Sequence, residues 1–281
     1  MYVAPAEFDA ALLQPYRDRL LQSDRFRDHP IVRHGFTGRL IGAEPAEGNI
    51  GFSAPRDRDA AAFERIRWAT AAGIDPNAIY TVHQVHGNQV IAIDEPRGDK
   101  QPSLGQADAI MTSTPGVAVM TLHADCLPII LVDVAKPAVC AIHAGWRGTV
   151  ADVAGSAVAA MQSTYGSDPS RLIAYLGPGM KSCCYEVGDE VVEAWRSVAG
   201  ADAGLALHIG PRRWHFDLGL ANRWLLQRAG IPAENIDDPE LCTMCNGDRW
   251  FSHRQQGPET GRFGAIVGIA PQHGRELESW S

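Results

Sequence analysis

Apolar positions along the chain change period twice. Residues 57–72, RDRDAAAFERIRWATA, carry apolar side chains at helical intervals with Gly73 just beyond as a stop, which predicts a helix. From 80 to 145 the period shortens to β-branched runs: YTVHQV, QVIAID, ADAIMT, VAVMTLHA, PIILVDV and AVCAIHA. Turn residues separate them at Gly87-Asn88, Pro96, Pro115-Gly116 and Lys136-Pro137, and several gaps are short enough for hairpins. The pattern therefore favours a mixed or antiparallel sheet over a doubly wound one. Many of these runs are apolar on both faces, so the sheet is expected to be buried beneath helices or a second sheet.

The flanking segments complete the outline. Pro15 and Pro30 bound a short helical stretch in an otherwise irregular opening, Ile31 to Arg39 reads as a strand ending in a turn, and the glycine-containing segment 42–55 reads as a surface loop. A helix is expected over 149–164, opened by Thr149, then a strand over 172–179 and helices near 187–198 and 217–229, the second closed by Gly230 with Pro232 after it. RWFSHR and FGAIVGIA supply two more strands. With no repeat, low-complexity tract or linker, the expectation is one α+β domain over 1–281, built as sheet layers flanked by helices.

Composition narrows the function classes. The 281 residues are 45% hydrophobic and 21% charged with a net charge of −8, and the basic residues are scattered. Neither a nucleic-acid track nor a membrane-binding surface is indicated, and small-molecule chemistry fits better. The N-terminus lacks a basic stretch followed by an apolar run, and no segment reaches membrane-spanning length, so a cytoplasmic protein is expected. Six cysteines, at 126, 140, 183, 184, 242 and 245, form no disulfide framework. A bridge between the adjacent Cys183 and Cys184 would be strained. Cys242 and Cys245 form a CxxC pair without a second CxxC or a thioredoxin-like strand before it, and are read as two small semi-buried residues in a turn.

Three residues carry the composition of a catalytic metal site. His86 in QVHG, Cys126 in ADCLP and His143 in HAGWRG each lie where an apolar run gives way to a Gly or Pro turn. Two nitrogens and one sulfur suit zinc, and three protein ligands leave a fourth tetrahedral position for water or substrate. Asp108 or Asp125 could accept from a ligating imidazole or act as a general base. His83 and His123 stand three residues from His86 and Cys126, an offset that turns them to the opposite side of a strand and out of the ligand set. In HAGWRG, Trp146 offers a flat apolar wall and Arg147 a fixed cation beside His143. Arg254 and Arg262 near the late turn, and Arg39 after the early HGF, are further anion-binding candidates.

Taken in order, QVHG, ADAI, ADCLP, HAGWRG, GPG-x4-CYEVG, DLGLAN, CT, FSHR and TGR resemble the laccase-domain or multicopper polyphenol oxidase family, also called the YfiH or peptidoglycan-editing-factor family, over nearly the whole chain. The resemblance implies a four-layer αββα sandwich shared with deamidating-toxin catalytic domains, and a metal held by His86, Cys126 and His143. It also implies phosphorolysis of adenosine, inosine, guanosine and methylthioadenosine and deamination of adenosine. Arg39 would then meet phosphate or sugar. The family commonly follows that arginine with Gly-Gly-Val-Ser, whereas this chain reads Leu40-Ile41-Gly42-Ala43-Glu44-Pro45, so this wall should differ.

The leading expectation is a zinc enzyme acting on a purine nucleoside and phosphate, with copper as the alternative metal. Asp125 would serve as proton shuttle, Arg147, Arg39 and Arg254 would hold phosphate, and Trp146 or Phe251 would stack on the base. A second reading makes Cys126 a nucleophile with His143 as its base, hydrolysing an amide such as a peptidoglycan peptide. A third is copper-dependent phenol oxidation, which fits poorly with ten histidines and no HxH pair.

Overall fold

A computed structural model describes residues 10–53, 55–95, 103–210 and 213–271. In chain order the elements are α1 (Ala10–Arg19), β1 (Val32–Phe36), α2 (Arg58–Ala71), β2 (Ile79–Thr81), β3 (Val90–Ile93), β4 (Ala109–Thr112), β5 (Ala118–His123), β6 (Leu127–Asp133) and β7 (Ala138–Ala144). There follow α3 (Trp146–Val150), α4 (Val153–Tyr165), β8 (Ile173–Leu176), β9 (Glu186–Val187), α5 (Asp189–Ala199), β10 (Leu207–Ile209), β11 (Trp214–Phe216), α6 (Leu218–Arg228), β12 (Ile236–Asp237), α7 (His253–Gln256) and β13 (Phe263–Ile269).

Two mixed sheets face each other. One runs β1-β13-β5-β2, the other β12-β8-β6-β7-β4-β3, and a ribbon β10-β11-β9 stands apart. Strand alternation assigns each residue to a layer. Val119 of β5, Ala265 and Val267 of β13, Ile130 and Val132 of β6, and Val139 and Ala141 of β7 fill the space between the sheets. Their neighbours point outward. Ala118, Met120 and Ile266 meet Trp68 and Ala69 of α2 on one side. Ile129, Leu131, Cys140 and Ile142 meet Val153, Ala157, Val158 and Met161 of α4, with Leu225 of α6, on the other. The runs apolar on both faces thus belong to a four-layer αββα sandwich, each sheet covered twice.

Several local readings are corrected. The first helix includes Pro15 rather than starting after it, held by burial of Leu13 and Tyr16. The helix expected over 149–164 is two helices, because Asp152 adopts a left-handed conformation (φ 58°) and its side chain accepts from Gly155 N as a new N-cap. RWFSHR is not a strand. It is a turn followed by α7, whose N-cap Ser252 accepts from Gln255 N. The β10-β11-β9 ribbon and β12 are too short to leave a periodic signal. The turn expected at Pro96 lies outside the described residues. No helix among the described residues is long and apolar enough to cross a membrane.

Ile130, fully buried between the sheets, and Ile41, 59% exposed, give the packing test. Ile130→Ala should lower the unfolding free energy by about 2–5 kcal/mol in urea titration, and Ile41→Ala by less than about 0.5 kcal/mol. Equal losses at the two positions would contradict the layer assignment.

Candidate metal centre and cleft

The chain passes from one sheet to the other between β5 and β6, and this crossing carries Cys126. His86 sits in the turn after β2, and His143 lies near the end of β7, paired with Pro128 of β6. One ligand atom from each of His86, Cys126 and His143 falls within 4.8 Å of the others, with His86 exposed, Cys126 half-buried and His143 buried. These three form a His-Cys-His candidate metal site open on the His86 side.

Asp108, fully buried, organises it. One carboxylate accepts from the backbone N–H of Val85 (3.1 Å), His86 (3.0 Å) and Gly87 (2.7 Å), and meets His143 Nδ1 at 2.8 Å. The same residue's carbonyl accepts from His143 N at 2.7 Å. Burial works against the carboxylate's charge, but His143 and these N–H groups outweigh it and hold the group below its ordinary range. With Nδ1 engaged, His143 keeps Nε2 as its ligand atom, the usual arrangement behind a metal-bound imidazole.

Charge in the donor set is set by mutual proximity. Burial opposes ionisation of both Cys126 and His143. The Cys126 sulfur and Asp108 nevertheless push His143 up to about 9, and His143 with His86 draws Cys126 down to about 6. A thiolate and two imidazoles, one braced by a carboxylate, are the donors a borderline-soft divalent ion takes. Gly145 makes room for them: a Cβ there would stand 2.9 Å from both Cys126 Sγ and His86 Cδ2.

The neighbouring histidines are arranged otherwise. His123 is buried, with Nε2 on Thr121 Oγ1 (2.8 Å) and Nδ1 on the Cys126 carbonyl (3.1 Å), so both ring nitrogens are engaged. His83 is exposed and lines the cleft without joining the donor cluster.

The three donors open into a cleft of about 500 Å³ whose lining includes Gln84, Met180, Tyr185, His253, Arg254 and Arg262. Asp125, with a backbone φ of 93°, lines it too. Its carboxylate accepts from Thr243 Oγ1 at 2.7 Å and from Arg254 N at 2.6 Å. Asp125 thereby ties two late loops to the β5–β6 crossing. Arg254 spreads over the Tyr185 ring, 5.1 Å from its centroid, and donates to the Glu186 carbonyl at 3.1 Å. Arg262 donates to the carbonyls of Thr260 and Gly261.

Four residues expected at the substrate do not line the cleft. Arg39 donates through Nε and Nη2 to Glu47 Oε2 (3.0 and 2.8 Å) and through Nη1 to the Gly247 carbonyl. The divergent 40–47 loop thus supplies a carboxylate that takes this guanidinium. Phe251 is buried, with Gly261 packed against its ring. Trp146 is half-buried against the helix-side core, and Arg147 is exposed and stacked on it at 4.3 Å. The aromatic and second cation of the cleft are Tyr185 and Arg262. Tyr185 stands in the CYEVG segment directly after the paired cysteines, a position that hydropathy alone does not distinguish. A further cluster joins segments far apart in sequence: Cys183 and Cys184 with Cys242 and Cys245. The CxxC pair is therefore more than two small residues in a turn.

Residues 33–270 match the family described as multi-copper polyphenol oxidoreductase laccase. The chain is 34% identical over 246 residues to purine nucleoside phosphorylase LACC1 of Mus musculus, covering 84% of this chain and 54% of that protein, so it spans about half the length of that relative. It is 35% identical over 204 residues to adenosine deaminase RL5 of an unknown prokaryotic organism, covering 70% of this chain and 78% of that one. Among solved structures, the hypothetical protein YfiH of Bacillus licheniformis superposes with a TM-score of 0.81 at 27% identity, over 91% of this chain and 99% of that one.

Asp108→Asn should weaken zinc affinity about 10–100-fold, read by competition with a chromophoric chelator; unchanged affinity would contradict the bracing role. Gly145→Ala should lower zinc affinity while leaving the circular dichroism spectrum intact, and full affinity would show that the donors do not close on one point.

Proposed function

This chain belongs to the multi-copper polyphenol oxidoreductase laccase family, and from that premise we propose that it is a zinc-dependent purine nucleoside enzyme. It would phosphorolyse adenosine, inosine, guanosine and methylthioadenosine and deaminate adenosine. One observation carries the reading: a His-Cys-His donor set shares a cleft with an aromatic ring, Tyr185, and two guanidinium groups, Arg254 and Arg262. A cleft near 500 Å³ is within the range of sites that enclose small ligands. The names purine nucleoside phosphorylase and adenosine deaminase borne by relatives support the same chemistry.

His86, Cys126 and His143 would hold the ion, which when bound supplies Lewis acidity to the cleft. The remaining work falls to side chains. Arg254 and Arg262 give the fixed positive charge that a phosphate nucleophile needs, in place of Arg39 and Arg147, and Tyr185 gives a face for the purine. In phosphorolysis a phosphate oxygen bonds to C1′ as the C1′–N9 bond breaks. The electron pair stays with the purine, which then takes a proton. In deamination a water oxygen bonds to C6 and the C6–nitrogen bond breaks, releasing ammonia. His83 and His253 are cleft imidazoles able to carry the protons of both reactions. Asp125, with both oxygens engaged, positions Arg254 and Thr243 instead of shuttling protons. The partners on this account are a purine nucleoside and phosphate, with no nucleic acid or membrane.

A second reading has its own observation. Cys126, His143 and Asp108 stand in the order of a Cys-His-Asp triad, with His143 drawing the thiol down to about 6, as a cysteine-dependent amide hydrolase requires. The copper oxidase reading is weaker, since His86, Cys126 and His143 are the one histidine-containing candidate cluster among the described residues.

Incubating the purified protein with inosine or adenosine, with and without phosphate, separates these accounts by chromatography. Ribose 1-phosphate and free purine should form only with phosphate. Activity should be lost on chelation and restored by zinc, and Arg254→Ala should raise the KM for phosphate about 10–100-fold, the loss expected for a charge-assisted contact of about 1.5–3 kcal/mol. Full turnover of an amide by metal-free protein, with none of a nucleoside, would establish the cysteine mechanism instead.

A further inference from the structure

We propose that Cys183, Cys184, Cys242 and Cys245 form a second metal centre, a tetrathiolate holding a structural zinc ion that clamps together the two loops behind one wall of the cleft. The four sulfurs all lie within 4.8 Å of one another. Cys245 Sγ stands 3.5 Å from Cys183 Sγ and 3.4 Å from Cys184 Sγ. Zinc–sulfur bonds of about 2.3 Å in a tetrahedron separate the sulfurs by about 3.8 Å, so sub-ångström movements would close the cluster on one ion.

The positions of the sulfurs favour a metal over a disulfide. A disulfide joins two sulfurs, yet Cys245 faces two partners at nearly the same distance and Cys242 completes the set. Four sulfurs gathered this closely from two loops are the donor set of a structural zinc site.

The loops are already registered for this role. Gly179 N donates to the Leu241 carbonyl (3.1 Å) and Thr243 N to the Gly179 carbonyl (3.2 Å), pinning the segment before Cys183 beside the CxxC turn. Each loop then reaches the cleft. Tyr185 follows Cys184 directly, Thr243 inside the CxxC donates to Asp125 Oδ1, and Met180 N donates to the Asp125 carbonyl at 2.9 Å. A clamp at the four sulfurs would therefore fix the ring and the carboxylate that shape the wall.

The test reads metal and thiols, not turnover, so its outcome is independent of the purine reading. In a His86→Ala, His143→Ala variant, which removes the first candidate centre, mass spectrometry should find one zinc per chain. That zinc should disappear when Cys242→Ser and Cys245→Ser are added. Zinc-edge X-ray absorption of the histidine variant should show sulfur neighbours alone at about 2.3 Å, a readout that needs no cysteine variant to fold. Counting thiols in denaturant without reductant should find all six cysteines free. A histidine variant free of zinc, nitrogen neighbours around its zinc, or two thiols missing from the count would each overturn the proposal.

Discussion

Everything at this site depends on one buried carboxylate. Asp108 ends the segment leading into β4 and ties the 85–87 turn to the end of β7. A carboxylate buried in an apolar sandwich is costly unless every lone pair is used. Here three backbone N–H groups and an imidazole use them. Removing such a partner typically costs about 3–5 kcal/mol. The anion is thus both a structural joint and the electrostatic setting that fixes the tautomer of His143.

The backbone around it records the same constraint. His86 and Asp125 both have positive φ, 61° and 93°, conformations that cost non-glycine residues on the order of 1–3 kcal/mol. Both are held by hydrogen bonds into neighbouring loops, His86 N to Asp108 and the Asp125 side chain to Thr243 and Arg254. The sandwich supplies rigid strand ends, and the turns between them absorb the strain that aims the donors. The wall that carries Tyr185 is built differently, from the 180–185 and 241–246 loops, the first of them tied to the short β10-β11-β9 ribbon by Phe216 N donating to the Tyr185 carbonyl at 3.0 Å. A cross-link at their cysteines would join the second loop to the first.

How much was legible in the chain follows from how local each signal is. The β-branched runs from 80 to 144 and the helix ending before Gly73 reveal themselves by period, and the double-sided apolarity of the runs foretells a buried sheet covered by helices or a second sheet. The resemblance supplied the four-layer order. The break at Asp152 was hidden because TVADVAGSAVAAMQ, from Thr149 to Gln162, continues the helical pattern across a single left-handed residue. His86, Cys126 and His143 could be picked out because each sits at a turn beside an apolar run, and the structure brings their donor atoms together. Arg39 and Phe251 could not be assigned, since what removes them from the cleft is Glu47 in a divergent loop and Gly261 packed on the ring. The cysteine cluster escaped because its two pairs lie far apart and only one has a recognisable spacing.

The most direct test of the central claim, that two imidazoles and a thiolate close on one ion, is anomalous diffraction from crystals of the purified protein at the zinc edge. The account predicts a peak bonded to His86 and His143 at about 2.0–2.1 Å and to Cys126 at about 2.3 Å. No anomalous density among those three side chains, in crystals grown with zinc present, would contradict it.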